Sequence, residues 1–394
     1  MTPIVDALGT FLSAEIAGGV ALLGATVAAL VWANSPAAAS YEGLWQTPMS
    51  LHIGEQALVS LDLRHWINDA LMALFFFVVG IEIKRELIDG ELTSARRAAL
   101  PILAAFGGLL LPALIFLSLN AGGPGMSGWG IPIATDIAFA VGVLALFGSR
   151  VPRALKVLLL SIAIVDDIAA IVVIALFYSG DIELLPLGIA GLLLLGVVGL
   201  WRIPKFWSDP LLAVLMVGVW IAVFASGVHA TIAGVALGLV APVRGGDPAP
   251  GERLLKTLHP WTGLLVVPLF ALANAGLRLD PQTFASALVS PVGLGIAAGL
   301  VLGKPIGITA ASWLAVRAGI AVLPKGVKWF QIVSIGATAG IGFTVSLFIA
   351  SLTFTSSETE STAKVGILVG SVIAAMVGVG LLSRSLSASA APVE

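Results

Sequence analysis

Four charged residues interrupt long apolar runs of the 394-residue chain: Asp136, Asp166, Asp167 and Lys304. Asp166 and Asp167 are adjacent within the apolar run 154–178. A helix rises about 1.5 Å per residue, so both acids would lie near the middle of a ~30 Å hydrocarbon core. A carboxylate at that depth costs at least ~2.5 kcal/mol, which makes it a candidate functional group.

The balance of these charges indicates which chemistry they could do. Three acids and one base leave an excess of two negative charges if all four are ionised. Low dielectric and like-charge repulsion favour protonation of at least one carboxylate at the working pH. The pattern therefore predicts a site that can exchange protons for cations.

Asp166 and Asp167 are not expected to share one task. Adjacent helical residues diverge by about 100°, so the two carboxylates cannot clamp one ion symmetrically. We expect one acid to pair with Lys304 and the other to line the cation path. Our assignment is Asp166 for the lysine-linked proton carrier and Asp167 for the cation ligand, a choice that the sequence itself leaves open. In the alternative, an Asp–Lys pair merely joins two helices, which leaves the other intramembrane carboxylates unexplained.

Asp136 directly follows Thr135, at a predicted break in its helix. If two half-helices meet there, Asp136 could neutralise their positive N-terminal ends and Lys304 the opposed C-terminal ends. The Thr135 hydroxyl could serve the interrupted backbone or an ion. Alternatively, it could bond only to its own helix at i−4.

Composition defines the class of protein that must hold these residues. The chain is 58% hydrophobic and 11% charged, whereas soluble domains are about 25% charged. This predicts an all-α polytopic membrane protein in a lipid bilayer. The net charge of −2 does not indicate a nucleic-acid partner. With no cysteine and four scattered histidines in no metal-ligand spacing, we expect no cofactor and no cysteine or histidine metal site.

Hydropathy predicts about twelve transmembrane helices, the first being a span and not a signal peptide. The spans are 11–33, 67–86, 98–120, 128–148, 153–177, 184–200, 210–225, 228–243, 260–275, 288–316, 329–353 and 363–385. Sixteen Lys and Arg then fall on one side and three on the other, with Lys304 as the twentieth. Basic loops are cytoplasmic, so both termini are expected on the cytoplasmic side of the membrane.

The predicted spans suggest a repeat within a single transporter domain. Spans 3–5 and 10–12, over 98–177 and 288–385, would have opposite orientations and form the core. Each middle span carries helix-breaking residues, in Gly130-Ile-Pro-Ile-Ala-Thr135-Asp136 and Gly336-Ala-Thr-Ala-Gly340-Ile-Gly342-Phe-Thr344. Interrupted helices at matching places indicate a midplane site. Residues 184–275 and the helix 1–2 region would form an interface.

Residues 45–61 lie outside the membrane and alternate on either side of Gly54-Glu55, which predicts a β-hairpin. An isolated hairpin is marginal in water, so we expect it to pair with a second protomer in a homodimer. An irregular loop is the alternative.

A second polar group ends span 2, where Glu82, Arg85 and Glu86 share a helix face. It could respond to pH, although such groups are more often solvated helix ends. His229 could also titrate near neutral pH, or could be a satisfied histidine at a helix end.

Several motifs resemble those of the NhaA-type sodium/proton antiporters, and they occur in that family's order. They are Phe75-Phe-Phe-Val-Val-Gly-Ile-Glu-Ile-Lys-Arg-Glu-Leu, Ala134-Thr-Asp-Ile-Ala-Phe-Ala, Val165-Asp-Asp-Ile, Ser226-Gly-Val-His-Ala-Thr, Leu258-His-Pro-Trp, Leu269-Phe-Ala-Leu-Ala-Asn-Ala-Gly, Gly303-Lys-Pro-Ile-Gly and Gly340-Ile-Gly-Phe-Thr. The resemblance covers the second span to the eleventh.

The resemblance implies broken helices 4 and 11 that cross at mid-membrane. Asp166 and Asp167 would bind the sodium (or lithium) ion and the protons, supported by Lys304, the Thr135–Asp136 crossing and the helix-11 residues Gly340, Gly342 and Thr344. It also implies electrogenic exchange of two protons in per sodium out, active at alkaline pH. The hairpin would hold a homodimer. The protein would lie in the bacterial inner membrane and regulate cytoplasmic pH and sodium.

This sequence departs from the family at one position. Family members carry a glutamate linked to pH sensing four residues before His259, where this chain has Leu255. Glu252 lies three residues earlier and could substitute. The resemblance implies a pH response that involves Glu82, Arg85, Glu86, His229 and Glu252. The pH at which this response would occur stays open.

Other classes of intramembrane acid proteins fit less well. An aspartyl protease needs two acids facing each other from different helices, so no enzyme is expected. A retinal-binding pump would need only seven helices, and Lys304 precedes a proline. The strongest competitor is a sodium-coupled anion symporter of the same crossed-helix plan, but an anion would favour fixed positive charge.

Overall fold

The structure is a computed structural model that describes residues 2–54, 56–203, 210–245 and 248–387. Glu55 of the predicted hairpin turn and Lys205 of the loop charges lie outside these ranges. In the first half the elements are α1 (Thr2–Ala33), α2 (Ala38–Trp45), β1 (Pro48–Ile53), β2 (Gln56–Asp62), α3 (Leu63–Trp66), α4 (Met72–Asp89), α5 (Ala95–Asn120), α6 (Ile137–Ala145), α7 (Arg153–Phe177) and α8 (Leu184–Trp201). In the second half they are α9 (Pro210–Ala225), α10 (Thr231–Val240), α11 (Pro250–Trp261), α12 (Val267–Asn274), α13 (Pro281–Val289), α14 (Pro291–Ala298), α15 (Lys304–Arg317), α16 (Trp329–Ala339), α17 (Phe343–Thr353) and α18 (Ser357–Ser387).

The predicted all-α fold with many apolar spans is confirmed. Within the described ranges, eight helical stretches are long and apolar enough to cross a membrane. Two bent pairs, Ala17–Ala33 with α2 and α16 with α17, count as one span each. The shorter apolar helices α9 and α10 fall on the two remaining predicted spans. Large apolar side chains are exposed on the outer faces of the helices, for example Leu192 on α8 and Val214 on α9. Such faces suit contact with lipid.

The chain divides into two compact units. Unit 1 comprises Met1–Val20, Glu91–Ala170 and Leu277–Glu394, and unit 2 comprises Ala21–Gly90 and Ile171–Gly276. Unit 1 contains spans 3 and 4, span 5 as far as Ala170, and spans 10–12. In span 4, an extended stretch at 134–136 separates the 3₁₀ helix Met126–Ile133 from α6. In span 11, residues 340–342 separate α16 from α17. Both breaks lie where the sequence predicted them.

In unit 1, α5 and α15 cross with their backbones in contact. A Cβ atom added at Gly107 would lie 2.2 Å from the Gly307 carbonyl oxygen, and one at Gly307 would lie 2.1 Å from the Gly107 carbonyl oxygen. Without a hydrophobic force between helices in lipid, small residues allow the close approach that stabilises helix pairs. This crossing fixes α15, whose first residue is Lys304.

We expect Gly307→Ala to destabilise the protein by about 1–3 kcal/mol, because the new methyl group would meet backbone that cannot move without separating the helices. Gly380→Ala is the matched control, since a Cβ at Gly380 in α18 meets nothing within 4 Å. The measurement is thermal unfolding of both variants in detergent. Equal melting temperatures would contradict the close crossing.

In unit 2, β1 and β2 form the predicted antiparallel hairpin, with Pro48 opposite Asp62 and an irregularity between Leu51 and His52. Gly54 in its turn has φ 62°, the left-handed region that glycine adopts without strain. Asp62 ends β2 and caps α3 by accepting a 2.8 Å hydrogen bond from the His65 backbone N–H. Burial raises the pKa of Asp62, but hydrogen bonds from His65 outweigh it, so the pKa lies below its ordinary value.

Candidate functional site

Asp136 stands where the two broken spans meet. It is the N-cap of α6, and its Oδ1 accepts from the Phe139 N–H at 3.1 Å. Its Oδ2 accepts from the Thr344 N–H at 3.0 Å and from the Thr344 hydroxyl at 2.6 Å, in the first turn of α17. One carboxylate therefore neutralises the partial positive charge of two helix N-termini. Its backbone N–H donates to the Ile341 carbonyl at 2.6 Å, which ties the two breaks together.

Thr135, Asp166 and Lys304 form a compact buried triad. The Lys304 ammonium donates to Asp166 Oδ2 at 2.5 Å and to Thr135 Oγ1 at 2.9 Å. Thr135 Oγ1 lies 2.7 Å from Asp166 Oδ2 and 2.9 Å from the Ala339 carbonyl oxygen, and it has one proton to donate to either. The Thr135 hydroxyl thus contacts the carbonyl at the C-terminal end of α16. The sequence had suggested Lys304 as the residue that neutralises this helix end.

The local backbone places Lys304 at this point. A π-helical turn, Gly299–Gly303, directly precedes it, and Pro305 follows. π-turns often mark functional sites in helices. A Cβ at Gly340 would lie 2.3 Å from the Leu300 carbonyl oxygen, so the break of span 11 packs directly on this turn. A Cβ at Gly342 would lie 2.3 Å from Ser346 Oγ. Gly340 therefore permits a close backbone approach that other residues would prevent, whereas at Gly342 a Cβ would first require the Ser346 side chain to shift.

Asp166 and Asp167 occupy different surroundings on α7. Asp166 is fully buried, and its second oxygen, Oδ1, has no hydrogen-bond partner among the residues that the structure describes. Asp167 is 6% exposed. Among the described residues, the buried charged side chains are Asp136, Asp166, Asp167 and Lys304, so only one is basic. The formal excess of two negative charges predicted from sequence is therefore buried.

The residues predicted to respond to pH separate into two groups in unit 2. Glu82 lies near the C-terminal end of span 2, and its Oε1 is 3.5 Å from His259 Nε2. His229 Nε2 lies 3.5 Å from Asp69 Oδ1. Glu82 and Asp69 are separated by 13 residues along span 2, roughly 20 Å in a helix.

The remaining members of that set lie near the first group in sequence. Arg85 is exposed, and Glu86 is half-buried beside Gly90. Glu252 is half-buried in the first turn of α11. Leu255 is 6% exposed and belongs to the apolar core of unit 2 that includes Ile81.

The sequence alone indicated no role for His259, the partner of Glu82, or for Asp69, the partner of His229. His259 was visible only as part of the Leu258-His-Pro-Trp motif. Asp69 lies near the start of span 2, in Trp66-Ile-Asn-Asp69, where its acid could have been recognised as an intramembrane charge. Within the residues that the structure describes, no cluster of three or more His, Cys, Asp or Glu side chains could hold a metal ion.

Comparisons with known proteins agree with this architecture. Residues 9–382 match the family model described as Na+/H+ antiporter 1. The chain is 47% identical over 384 residues to the Na(+)/H(+) antiporter NhaA of Shewanella sediminis (strain HAW-EB3), covering 96% of each chain. It is 48% identical over 388 residues to Na(+)/H(+) antiporter NhaA 2 of Erythrobacter litoralis (strain HTCC2594), covering 98% of this chain and 96% of that one.

Among solved structures, the chain is similar in fold to the sodium proton antiporter MjNhaP1 from Methanocaldococcus jannaschii at pH 8. The TM-score is 0.57 at 13% identity, and 98% of each chain is covered. At that identity the likeness concerns the fold alone. The family match spans nearly the whole chain and confirms the resemblance read from the motifs. This multi-pass membrane protein therefore belongs to the Na+/H+ antiporter 1 family.

Proposed function

We propose that this chain exchanges sodium or lithium ions for protons across the membrane. The single observation that carries the proposal is the pair of adjacent buried acids, Asp166 and Asp167, matched by only one buried base, Lys304, in the described ranges. An excess of buried negative charge is costly unless a proton or a cation neutralises it. The relatives named above, which are Na(+)/H(+) antiporters by name, support the same exchange.

The geometry suggests a separate role for each acid. Asp136 serves the two helix N-termini. Asp166 binds Lys304 through Oδ2, and its Oδ1 remains available as an acceptor for a proton. In this proposal Asp167 is the cation ligand, and Asp166 is the lysine-linked proton carrier. Binding of sodium at Asp167 and binding of protons at the pair are then mutually exclusive, because each neutralises the same excess charge.

We further propose that the exchange proceeds by alternating access and is electrogenic, with two protons entering for each sodium ion leaving. Residues 98–177 and 288–385 form the transport core, and residues 184–275 with the helix 1–2 region form the interface. The chain lies in the bacterial inner membrane with both termini cytoplasmic, as the 16-to-3 distribution of basic loop residues favours. Its role is to regulate cytoplasmic pH and sodium. No observation favours the anion symporter, since the buried site is negative.

The test is purified protein reconstituted into vesicles that contain a pH-sensitive dye. A sodium or lithium gradient should drive protons in the opposite direction, whereas potassium or choline should not. A membrane potential imposed with potassium and valinomycin should change the rate if the exchange is electrogenic. Absence of any response to sodium and lithium would overturn the proposed function, and insensitivity to potential would overturn the stoichiometry.

We propose that residues 45–61 hold a homodimer. The hairpin is only two strands wide, and Met49 and Leu51 on β1 are each 43% exposed. Paired strand edges would satisfy its open backbone groups. We expect a variant with residues 49–61 replaced by a short Gly-Ser linker to be monomeric in detergent by light scattering, whereas wild type is dimeric. A dimer that survives the deletion would contradict this role.

We propose that Glu82 and His259 contribute to the pH response. Opposite charges this close can shift titration on the order of one pH unit or more. We expect Glu82→Gln to move the pH of half-maximal exchange by about that amount, measured in the same vesicles. Glu358→Gln, on the exposed first turn of α18, is the matched control. An unchanged pH profile in Glu82→Gln would exclude the pair from pH sensing.

A further inference from the structure

Unit 1 contains a cavity of about 830 Å³. It lies where α5 and α7 begin and where residues 322–325 connect α15 to α16. Its polar lining is mainly basic and exposed, from Arg96, Arg97, Arg153 and Lys325, with Glu91 as the acid. Arg97 Nη1 is 3.9 Å from Glu91 Oε2, a long contact that offsets one of four positive charges.

The inner wall of this cavity is apolar. It is formed by Leu100, Pro101, Val157, Leu158 and Leu323, while Val322, which also lines the cavity, is 62% exposed. Leu100 and Leu158 are 3% and 5% exposed, and Ser161, at 3%, is the polar residue of the inner lining. The cavity therefore has a positively charged mouth and an apolar interior. Its volume lies in the range of about 300–1,000 Å³ that is typical of ligand sites.

The charge of the mouth excludes one obvious use for the cavity. Four basic residues and one acid give a formal charge of +3 at the mouth. Such a field repels sodium ions and protons, so the cavity is unsuited as a route for cations. The partial positive charges at the N-termini of α5 and α7 have the same sign. The complementary ligand is an anion with an apolar body.

We propose that this cavity binds an anionic phospholipid, with its phosphate on the arginines and part of an acyl chain along the apolar wall. Arginine holds a phosphate through two parallel hydrogen bonds. Basic pockets between membrane helices recognise anionic headgroups on the cytoplasmic side. A free phosphate would leave the apolar wall unused. Both α5 and α7 are long and apolar enough to cross a bilayer, so their ends would lie at headgroup depth. This inference does not depend on the ions transported.

The experiment is native mass spectrometry of the detergent-purified full chain with phosphatidylglycerol, phosphatidylcholine and inorganic phosphate as separate probes. We expect phosphatidylglycerol to bind Arg96→Gln/Arg153→Gln roughly 30-fold more weakly than wild type, about fivefold for each charge removed. Arg96→Lys/Arg153→Lys keeps both charges and should stay within about fivefold of wild type. Arg384→Gln removes an exposed basic residue of α18 away from the cavity and should bind as wild type.

A thermal unfolding scan without lipid accompanies each variant, so that a loss of fold is distinguished from a loss of binding. Equal phosphatidylglycerol binding by wild type and the double glutamine variant would overturn the site. Equal binding of phosphatidylcholine would overturn the role of headgroup charge. Binding of inorganic phosphate that depends on the same arginines, with no gain from the lipid, would replace the lipid by a soluble anion.

Discussion

Replacing Asp167 by asparagine is expected to reduce sodium-driven proton movement to the rate seen in vesicles without protein. The substitution keeps the size of the side chain and removes the charge that we propose binds the cation. Without that charge the buried site carries one negative charge less, and sodium no longer gains the interaction that offsets the loss of its water shell. Proton exchange coupled to lithium should fail equally, since both ions need the same carboxylate.

Asp181→Asn is the control for this experiment, because Asp181 is an exposed acid beyond the end of the same helix. That variant should transport at the wild-type rate. Transport by Asp167→Asn at the wild-type rate would show that the cation is bound elsewhere, even if the exchange itself were confirmed. A circular dichroism spectrum and a melting temperature like those of wild type are needed to exclude misfolding as the cause of a loss.

Replacing Lys304 by alanine is expected to destabilise the protein by about 3–5 kcal/mol, because it removes one partner of a fully buried ion pair. Asp166 would then keep only the Thr135 hydroxyl on Oδ2, while its Oδ1 already has no partner. The measurements are the melting temperature in detergent and the pH profile of exchange. Both should change, since the stranded carboxylate can relieve its burial only by taking up a proton.

Two further variants test whether the instability of Lys304→Ala comes from the lost ion pair or from the lost volume of the side chain. Lys256→Ala removes an exposed lysine and should leave the melting temperature unchanged. Asp166→Asn/Lys304→Ala removes both charges and should be more stable than Lys304→Ala alone, because the carboxylate that lost its lysine partner is gone as well. If the double variant were as unstable as Lys304→Ala, packing of the lysine stem would be the larger contribution.

The sequence was most informative where burial of charge or polar backbone in lipid is expensive. Because of that cost, Asp136, Asp166, Asp167 and Lys304 could be recognised as candidate functional residues. For the same reason, twelve apolar spans could be counted in the sequence. The hairpin was readable because strand alternation and a glycine turn are local features. The breaks in spans 4 and 11 followed from Gly, Pro and Thr clusters.

Contacts between distant segments could not be read in the same way. Nothing local shows that the Thr344 N–H, 208 residues along the chain, binds Asp136. The pairing of Glu82 with His259 and of Asp69 with His229 likewise depends on how separate helices pack. The basic cavity was also hidden, because its cations come from three segments that sequence treats as ordinary cytoplasmic loops and helix ends.

By itself, the sequence determined that this is a polytopic membrane protein with two adjacent acids and one lysine at mid-depth. Hydrophobicity and charge act residue by residue, and the membrane penalises every exception. The sequence also suggested a pair between one acid and Lys304 and a role for Asp136 at the helix ends, whereas only the tertiary structure decided that Lys304 contacts Asp166 and that Thr135 serves both. Those assignments depend on distances of a few ångströms between spans, which are set by backbone crossings such as that of Gly107 with Gly307.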